Sequence, residues 1–263
     1  MIETLELFQN SIIAAFLLSI AVSIIGSLML INRYSYIAAS IAHGSYGGIG
    51  LAIYFGFSIL AGATAFATIL ALLLAFITYK NPQRKDILIG VIWAIGMSIG
   101  IIFVDLTPGY NVDLLSFLFG DILMVPKEDL LFMTVVDILL ILYITLFYNH
   151  LIAIAYDRDF ANLRGLRVKT FYILTLILIA LTVVMSIRSV GLILIIALFS
   201  IPPFIAEKFT NSLKNMILLS IVLSLIFLLF GLYISYILDI SATASIILVS
   251  SLAFIISFLK AKR

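Results

Sequence analysis

The chain alternates long apolar stretches that carry no charge with short segments that hold nearly all of its Lys and Arg residues. A helix needs roughly 20 residues to cross a hydrocarbon core of about 30 Å. Charge-free runs of suitable length extend over residues 7–32, 34–79, 87–104, 170–187, 189–206, 215–238 and 240–259. The run 34–79 is long enough for two crossings that turn near Phe55-Gly56-Phe57-Ser58, and another span is expected over 130–148, interrupted by Asp137. The pattern predicts about nine transmembrane helices.

The basic residues predict the orientation of these spans. If Arg33 faces the cytoplasm and the spans alternate, only Lys127 and Arg188 of the 15 Lys and Arg residues lie outside. Basic residues concentrate on the cytoplasmic side of membrane proteins. The N-terminus is therefore expected outside and the C-terminus inside. The acidic start of the chain lacks the basic region of a secretory signal, so the first run is expected to be a retained span.

Composition supports a lipid-embedded protein. With 64% hydrophobic and 11% charged residues, the chain has too little polar surface to cover a soluble globule. No segment shows the alternation of a membrane β-barrel, so the predicted fold class is all-α, a polytopic membrane helical bundle forming a single domain over residues 1–263. The chain has no cysteine, which excludes thiolate metal sites and leaves His, carboxylate and backbone oxygen as metal ligands. The cations lie at membrane boundaries and give no indication of nucleic-acid binding.

The second span departs most from a plain lipid-facing helix. It contains Gly44-x-x-x-Gly48, and a later span repeats the spacing with Gly96-x-x-x-Gly100. Small residues at this spacing allow helix backbones to approach closely, so both spans are expected inside the bundle. His43 lies about 12 Å into its span at 1.5 Å per residue. An ionisable residue at that depth indicates a functional site, and imidazole is a common metal ligand, although composition alone slightly favours a hydrogen bond between helices.

Other polar or helix-breaking residues inside the spans admit two interpretations each. Asp137 either takes part in a cation pathway with His43 or makes a structural hydrogen bond. His150 lies at the predicted cytoplasmic boundary and is expected to be interfacial. Pro202-Pro203 should break or kink its helix, since two N–H donors are missing there. Broken helices often frame transport pathways, but kinks also serve packing.

Two connections are longer than a turn. The outer one is expected to hold a short helix over Leu114–Gly120. The inner one is expected to hold a short cytoplasmic helix at about 155–166, with acidic residues near its start and Gly165 as its C-cap. Such a helix either docks a soluble partner or is an ordinary capped connector. Motifs of nucleotide hydrolysis, zinc peptidases and serine hydrolases are missing from the sequence.

Three groups of residues resemble the transmembrane permease of metal-cation ABC importers, the family that takes up zinc, manganese or iron(II). The pattern of the family's cytoplasmic coupling helix is matched by Tyr156, Asp157, Ala161 and Gly165. A pattern after the fourth span is matched by Leu118, Phe119, Gly120, Ile122 and Leu123. A later pattern is matched by Val190, Gly191, Leu194 and Ile201-Pro202-Pro203, with Ala206 beyond. Each is weak alone, but their order on this topology makes the resemblance strong over nearly the whole chain.

The resemblance also marks a departure in the second span. The family usually carries Gly-Asp-x-x-x-His there, with Asp and His one helical turn apart and able to share a metal ion. His43 matches the His, whereas Ala38-Ala39 stands where the family has Gly-Asp. The usual carboxylate is absent, so Asp137 is hypothesised to supply a replacement oxygen ligand.

The resemblance implies a type II ABC importer-like arrangement in the plasma (inner) membrane. A homodimer of permeases would bind two ATP-binding subunits on the cytoplasmic side, and an extracytoplasmic metal-binding protein would deliver the ion. The chain itself would bind no cofactor and hydrolyse no ATP, since the metal is cargo. Closure of the ATPase would act on the coupling residues, which are Tyr156, Asp157, Asp159, Ala161 and Gly165.

Three alternatives remain open from the sequence. An iron-siderophore or cobalamin permease shares a related architecture but tends to have one more span and a wider pathway. A secondary transporter driven by protons or sodium would use His43 and Asp137 as a relay. An intramembrane enzyme would need paired catalytic groups within the spans, and two isolated ionisable residues do not provide them.

Overall fold

The computed structural model describes residues 2–80, 85–108, 120 and 122–260, and these residues form helices and short connections without a strand. The helices are α1 (Ile2–Asn32), α2 (Ser35–Gly44), α3 (Tyr46–Phe55), α4 (Ile59–Lys80), α5 (Lys85–Asp105), a short 3-10 helix (Ile122–Met124), α6 (Lys127–Tyr156), α7 (Arg158–Leu163), α8 (Val168–Phe209), α9 (Leu213–Leu238) and α10 (Ala242–Lys260). The expected all-α membrane bundle is confirmed. Of the expected outer helix over Leu114–Gly120, only Gly120 lies within the described residues.

Within the described ranges, 7 helices are long and apolar enough to cross a membrane. The other two predicted crossings are also helical, but neither forms a separate helix long enough to be counted. The α2–α3 pair covers the second predicted span in two pieces of 10 residues each. Helix α8 covers two predicted spans in 42 residues and counts once. The nine predicted spans therefore all have helical counterparts, and the orientation of the termini stays a prediction.

Helix α8 is interrupted at Gly191, whose φ of 77° and ψ of 168° lie outside the helical region. An unbroken helix of 42 residues would be about 63 Å long, twice the thickness of the hydrocarbon core. The interruption leaves segments 168–190 and 192–209, about 34 Å and 27 Å long, and each has the length of one crossing. The sixth and seventh predicted spans are therefore separated at Gly191, three residues after Arg188, where the charge pattern placed the boundary.

The sequence predicts a break or a kink at Pro202-Pro203. The break is absent, because both prolines lie inside α8 without interrupting it, and the kink stays a prediction. Each proline leaves a carbonyl one turn earlier without its helical donor, and for Pro203 this is the carbonyl of Phe199. That oxygen lies against Gly26 of α1, where an added Cβ would be 2.5 Å from it and 2.8 Å from Cγ of Pro203. The absence of a side chain at Gly26 lets α1 cover the proline turn closely, and the helix continues to Phe209.

The second predicted span is divided at Ser45, which the sequence analysis did not foresee. Ser45 joins α2 to α3, and its hydroxyl donates a hydrogen bond of 2.7 Å to the carbonyl of Ala42. Such a bond competes with the helical ladder and often bends a helix. The expected turn at Phe55-Gly56 is confirmed, since α3 ends at Phe55 and Gly56 adopts the left-handed conformation with a φ of 72°.

The described residues divide into two compact units. Unit 1 contains α1, the 3-10 helix, α9 and α10, with α6 up to Phe147 and α8 from Met185 onward. Unit 2 contains α2 to α5, α7 and the remaining parts of α6 and α8. That residues 1–263 form a single domain stays a prediction.

In unit 1, α1 packs against α9, and the serine hydroxyls of Ser23 and Ser224 are hydrogen-bonded at 3.1 Å. Helix α9 then packs on α10 at Gly231, where a Cβ would lie 2.6 Å from Cα of Ile246. In lipid, the hydrophobic effect does not drive helices together. Helices associate instead through close packing at small residues and through hydrogen bonds between them.

Candidate functional site

The helix pair α2–α3 is held against α4 and α5 in unit 2 by glycines on all four helices. A Cβ added at Gly96 of α5 would lie 2.5 Å from Cα of Gly44, and one at Gly100 would lie 2.5 Å from the carbonyl oxygen of Tyr46. On the other side, a Cβ at Gly62 of α4 would lie 2.6 Å from the carbonyl oxygen of Gly48. The backbones of α4 and α5 therefore touch the α2–α3 pair directly. The close packing expected from the two Gly-x-x-x-Gly spacings is confirmed. Helix α5, however, is not enclosed as the sequence predicts, because only the face that carries Gly96 and Gly100 is buried among the described residues.

This packing places His43 against Trp93 of α5. Their rings stack with centroids 3.9 Å apart and an angle of 15° between the planes. The His43 side chain is half-buried, and its Nδ1 atom is buried without a hydrogen-bond partner among the described residues. Within the described part of the chain, Nδ1 of His43 therefore neither makes a hydrogen bond between helices nor lies in contact with solvent. A buried nitrogen without a partner can act as a metal ligand.

Trp93 is a residue that the sequence analysis did not single out. It is the one tryptophan of the chain and lies one turn before Gly96, the glycine that brings α5 against α2. The presence of the chain's one tryptophan on the same helix as a close-packing glycine was a usable signal. The pairing with His43 was not, because 50 positions separate the two residues and no local pattern joins them.

Asp137 lies on α6, in unit 1, and is 3% exposed. Neither of its carboxylate oxygens has a hydrogen-bond partner among the described residues. The structural hydrogen bond considered for Asp137 from the sequence is therefore not seen there. Asp129, two turns earlier, does have a partner, since one of its oxygens lies 3.2 Å from Nε of Arg188.

The described residues contain no group of three or more His, Cys, Asp and Glu residues that could hold a metal ion. His43 belongs to unit 2 and Asp137 to unit 1, and each is described by its surroundings within its own unit. Their joint role as metal ligands stays a prediction. His150, predicted to be interfacial, stacks on Phe171 with centroids 5.6 Å apart.

The expected inner helix is present as α7, capped at both ends. The Asp157 carboxylate accepts a hydrogen bond of 2.9 Å from the N–H of Phe160, which is the usual role of an N-cap. At the other end, Gly165 has a φ of 84°, and its N–H donates to the carbonyl of Asn162 at 3.0 Å. Leu166 donates back to Ala161 at 3.1 Å, which completes a Schellman motif. Gly165 therefore ends the helix as the sequence predicts.

Helix α7 buries one small residue and exposes large apolar ones. Ala161 is 1% exposed and packs in a cluster with Ile154 and Val168 at the adjoining ends of α6 and α8. Phe160 and Leu163 of α7 are 54% and 87% exposed, and Tyr156, the last residue of α6, is 94% exposed. Asp159 is exposed as well. We call Tyr156, Asp159, Phe160 and Leu163 the connector surface.

Residues 4–261 match the ABC 3 transport family. The chain belongs to this family. It is 44% identical over 252 residues to an uncharacterised membrane protein of Synechocystis, covering 96% of this chain and 90% of that protein. It is 31% identical over 250 residues to a manganese import system permease protein of Streptococcus gordonii, covering 95% and 90%.

A solved structure gives the same assignment. The chain is similar to a chain of the PsaBC complex of Streptococcus pneumoniae bound to a Fab, with a TM-score of 0.86 and 29% identity over 100% of this chain and 97% of that one. Membership in the family makes this chain a multi-pass inner-membrane permease subunit rather than an enzyme. The resemblance drawn from its sequence motifs is confirmed.

Two of those motifs meet in unit 1. Gly120 has a φ of 59°, and a Cβ added there would lie 2.8 Å from Cα of Gly191. The two glycines belong to motifs that are about 70 positions apart in the sequence. Their contact lies at the interruption of α8, so the two sequence motifs pack against each other at this turn.

Proposed function

We propose that this permease subunit imports a divalent metal cation and is driven by a separate ATP-binding subunit that docks on the connector surface. The observation that carries the proposal is the exposure of Phe160 and Leu163 on a helix fixed at both ends. A helix this short would gain little from leaving two large apolar side chains in water. Burying each of them in a partner would contribute roughly 1.5–3 kcal/mol.

The shape of the connector helix suits the transmission of force. Its N-cap, its Schellman end and the buried Ala161 fix α7 to the ends of α6 and α8. A push on the connector surface is therefore passed to the membrane helices rather than absorbed by the loop. We propose Tyr156, Asp157, Asp159, Ala161 and Gly165 as the coupling residues, with two ATP-binding subunits serving a homodimer of permeases.

The proposed cargo is a divalent metal, with manganese favoured by the name of the S. gordonii relative. His43 offers a buried Nδ1 without a partner, and Asp137 offers two buried oxygens without partners. Nitrogen and carboxylate oxygen are both suitable ligands for manganese, zinc and iron(II). We propose that the two residues contact the ion along its path, and that an extracytoplasmic metal-binding protein delivers it. Unchanged uptake by an Asp137→Ala variant would contradict this role for Asp137.

The proposal is tested by reconstituting the purified permease in liposomes with and without its ATPase subunit. We expect manganese uptake only when the ATPase and ATP are both present. Uptake driven by a proton or sodium gradient without the ATPase would instead indicate a secondary transporter. Transport of a ferric siderophore or cobalamin in place of the free ion would indicate the related permease class.

Gly165→Pro tests the role of the connector helix within that assay. Proline fixes φ near −65°, which is incompatible with the φ of 84° at Gly165, and it removes the N–H that bonds to Asn162. We expect ATP-dependent uptake to fall by about 10-fold or more, since the cost of an incompatible proline is about 3 kcal/mol. Normal ATP-dependent uptake by this variant would count against the assignment.

A further inference from the structure

A cavity of 330 Å³ separates α7 from the ends of α2 and α4 in unit 2. It is lined, among others, by Tyr34, Ile37, Thr78, Arg158, Asn162 and Tyr172. Helix α7 is packed through Ala161 onto its own neighbours in the chain, but its other side faces this space. A displacement of α7 therefore needs a bridge across the cavity to reach α2.

Arg158, the first residue of α7, spans that space. Its Nη2 donates a hydrogen bond of 2.8 Å to the hydroxyl of Tyr34. Its guanidinium carbon lies 5.5 Å from the ring centroid of Tyr34 and 5.8 Å from that of Tyr172. Both distances are within the range of a cation–π contact, and a bond from a charged donor is stronger than one between neutral groups. One side chain thus contacts both Tyr34, at the N-cap of α2, and Tyr172 of α8.

Tyr34 passes this contact directly to α2. It is 5% exposed and immediately precedes the helix, and its carbonyl accepts hydrogen bonds from Ile37 at 3.0 Å and Ala38 at 3.1 Å. A shift of Tyr34 therefore moves the first turn of α2, the helix that carries His43. Tyr172 extends the same cluster to α4, because its hydroxyl is hydrogen-bonded to that of Thr78 at 2.6 Å.

We propose that Arg158 is a positioning residue that transmits movement of the connector helix to α2 through its bond to Tyr34, and so couples ATP hydrolysis to the segment that holds His43. The proposal rests on the proposed function. It adds a route that bypasses the covalent chain, since α7 follows α2 by more than a hundred residues and is joined to it covalently only through α3 to α6.

The test compares Arg158→Met, Arg158→Lys and Tyr34→Phe in the reconstituted complex of permease and ATPase. The quantity measured is manganese taken up per ATP hydrolysed, together with the amount of ATPase subunit that co-purifies. We expect Arg158→Met to lower the ratio by about 3- to 30-fold, which is the range for mutations along coupling networks. Tyr34→Phe keeps the ring and removes the hydroxyl, so a smaller loss is expected, and Arg158→Lys should recover part of the ratio because it can still donate to Tyr34.

A double variant separates coupling from simple loss of structure. If Arg158 acts through Tyr34, then Arg158→Met combined with Tyr34→Phe should lower the ratio no further than Arg158→Met alone. Lys169→Met serves as the matched control. It removes a cation in the same unit whose ammonium lies 5.2 Å from the ring centroid of Phe76 on α4. We expect that control to keep the wild-type ratio.

The outcomes distinguish this inference from the proposed function. Absence of ATP-driven uptake in the wild-type complex would overturn the proposed function itself. Wild-type uptake with an unchanged ratio in Arg158→Met would overturn only the inference. Loss of ATPase binding in Arg158→Met, with a normal ratio in Tyr34→Phe, would also overturn it, because Arg158 would then act at the subunit contact and not on α2.

Discussion

At the scale of single residues, the face and the Nδ1 atom of the His43 ring have different surroundings. One face is covered by Trp93, and Nδ1 is buried without a hydrogen-bond partner among the described residues. A stacked neighbour fixes the orientation of an imidazole without using its nitrogens. Ligand orientation of this kind preserves the capacity to bind a metal while limiting the ring's freedom.

We expect His43→Ala to reduce manganese uptake by about 10-fold or more, because loss of a group that orients or binds a metal typically costs 10- to 100-fold. Uptake by the reconstituted complex at several manganese concentrations would show whether apparent affinity falls. The matched control is His150→Ala, which removes the other histidine, stacked on Phe171 at the predicted cytoplasmic boundary. Equal losses in both variants would contradict a specific role for His43.

Gly191 is constrained by its backbone rather than by a ligand. A φ of 77° with a ψ of 168° belongs to a region that side chains other than hydrogen essentially exclude. We expect Gly191→Ala to lower the free energy of unfolding by about 1–3 kcal/mol. Thermal unfolding in detergent would measure the change.

The comparison variant for Gly191 is Ile193→Ala, two residues further on. Ile193 is 41% exposed, so its truncation leaves little cavity and should shift the unfolding temperature less. An unfolding temperature of Gly191→Ala equal to that of the unmodified protein would show that the turn tolerates a side chain.

At the scale of elements, α5 carries two glycines in contrasting surroundings. A Cβ at Gly96 would lie 2.5 Å from Cα of Gly44, whereas one at Gly90 would meet nothing within 4 Å. We expect Gly96→Ala to force α5 away from α2, at a cost of about 1–3 kcal/mol for overpacking. Because Trp93 is on the same helix, manganese uptake should fall as well.

Gly90→Ala is the control on the same helix. Alanine is favoured over glycine in a helix by about 1 kcal/mol, so this variant should be as stable as the unmodified protein or more stable. Measuring unfolding temperature and uptake for both variants separates close packing from helix propensity. Equal stability of Gly96→Ala and Gly90→Ala would contradict direct backbone contact between α5 and α2.

The elements also show what a single sequence can predict. Helix positions followed from charge-free length, and the cap at Gly165 and the turn at Gly56 followed from glycine placement. The division at Ser45 did not, because a serine bonded to its own helix leaves no periodic signal. The bond between Arg158 and Tyr34 was equally hidden, since these residues are 124 positions apart. His43 was found from its depth in an apolar run, but its stacking partner depends on which helices touch.

At the scale of the whole molecule, two contacts within unit 1 join residues that the charge pattern assigns to one side of the membrane. Asp129 pairs with Arg188, both predicted outside, and Lys208 lies 4.6 Å from the Phe258 ring, both predicted inside. Two predicted spans separate the members of each pair. These contacts agree with an even number of crossings between the paired residues.

The orientation can be measured directly. Because the chain has no cysteine, a single introduced cysteine is the only thiol that a labelling reagent can modify. We expect Ser58→Cys and Asp239→Cys to react with a membrane-impermeant thiol reagent in intact cells, since both positions lie in predicted outer turns. Asn211→Cys, in the exposed turn between α8 and α9, should react only after the membrane is permeabilised. This expectation rests on the Lys and Arg residues on either side of that turn, since basic residues concentrate on the cytoplasmic side of membrane proteins. If Asn211→Cys is labelled in intact cells and the other two variants are not, the predicted orientation is reversed. If all three variants are labelled in intact cells, at least one of the predicted crossings is wrong.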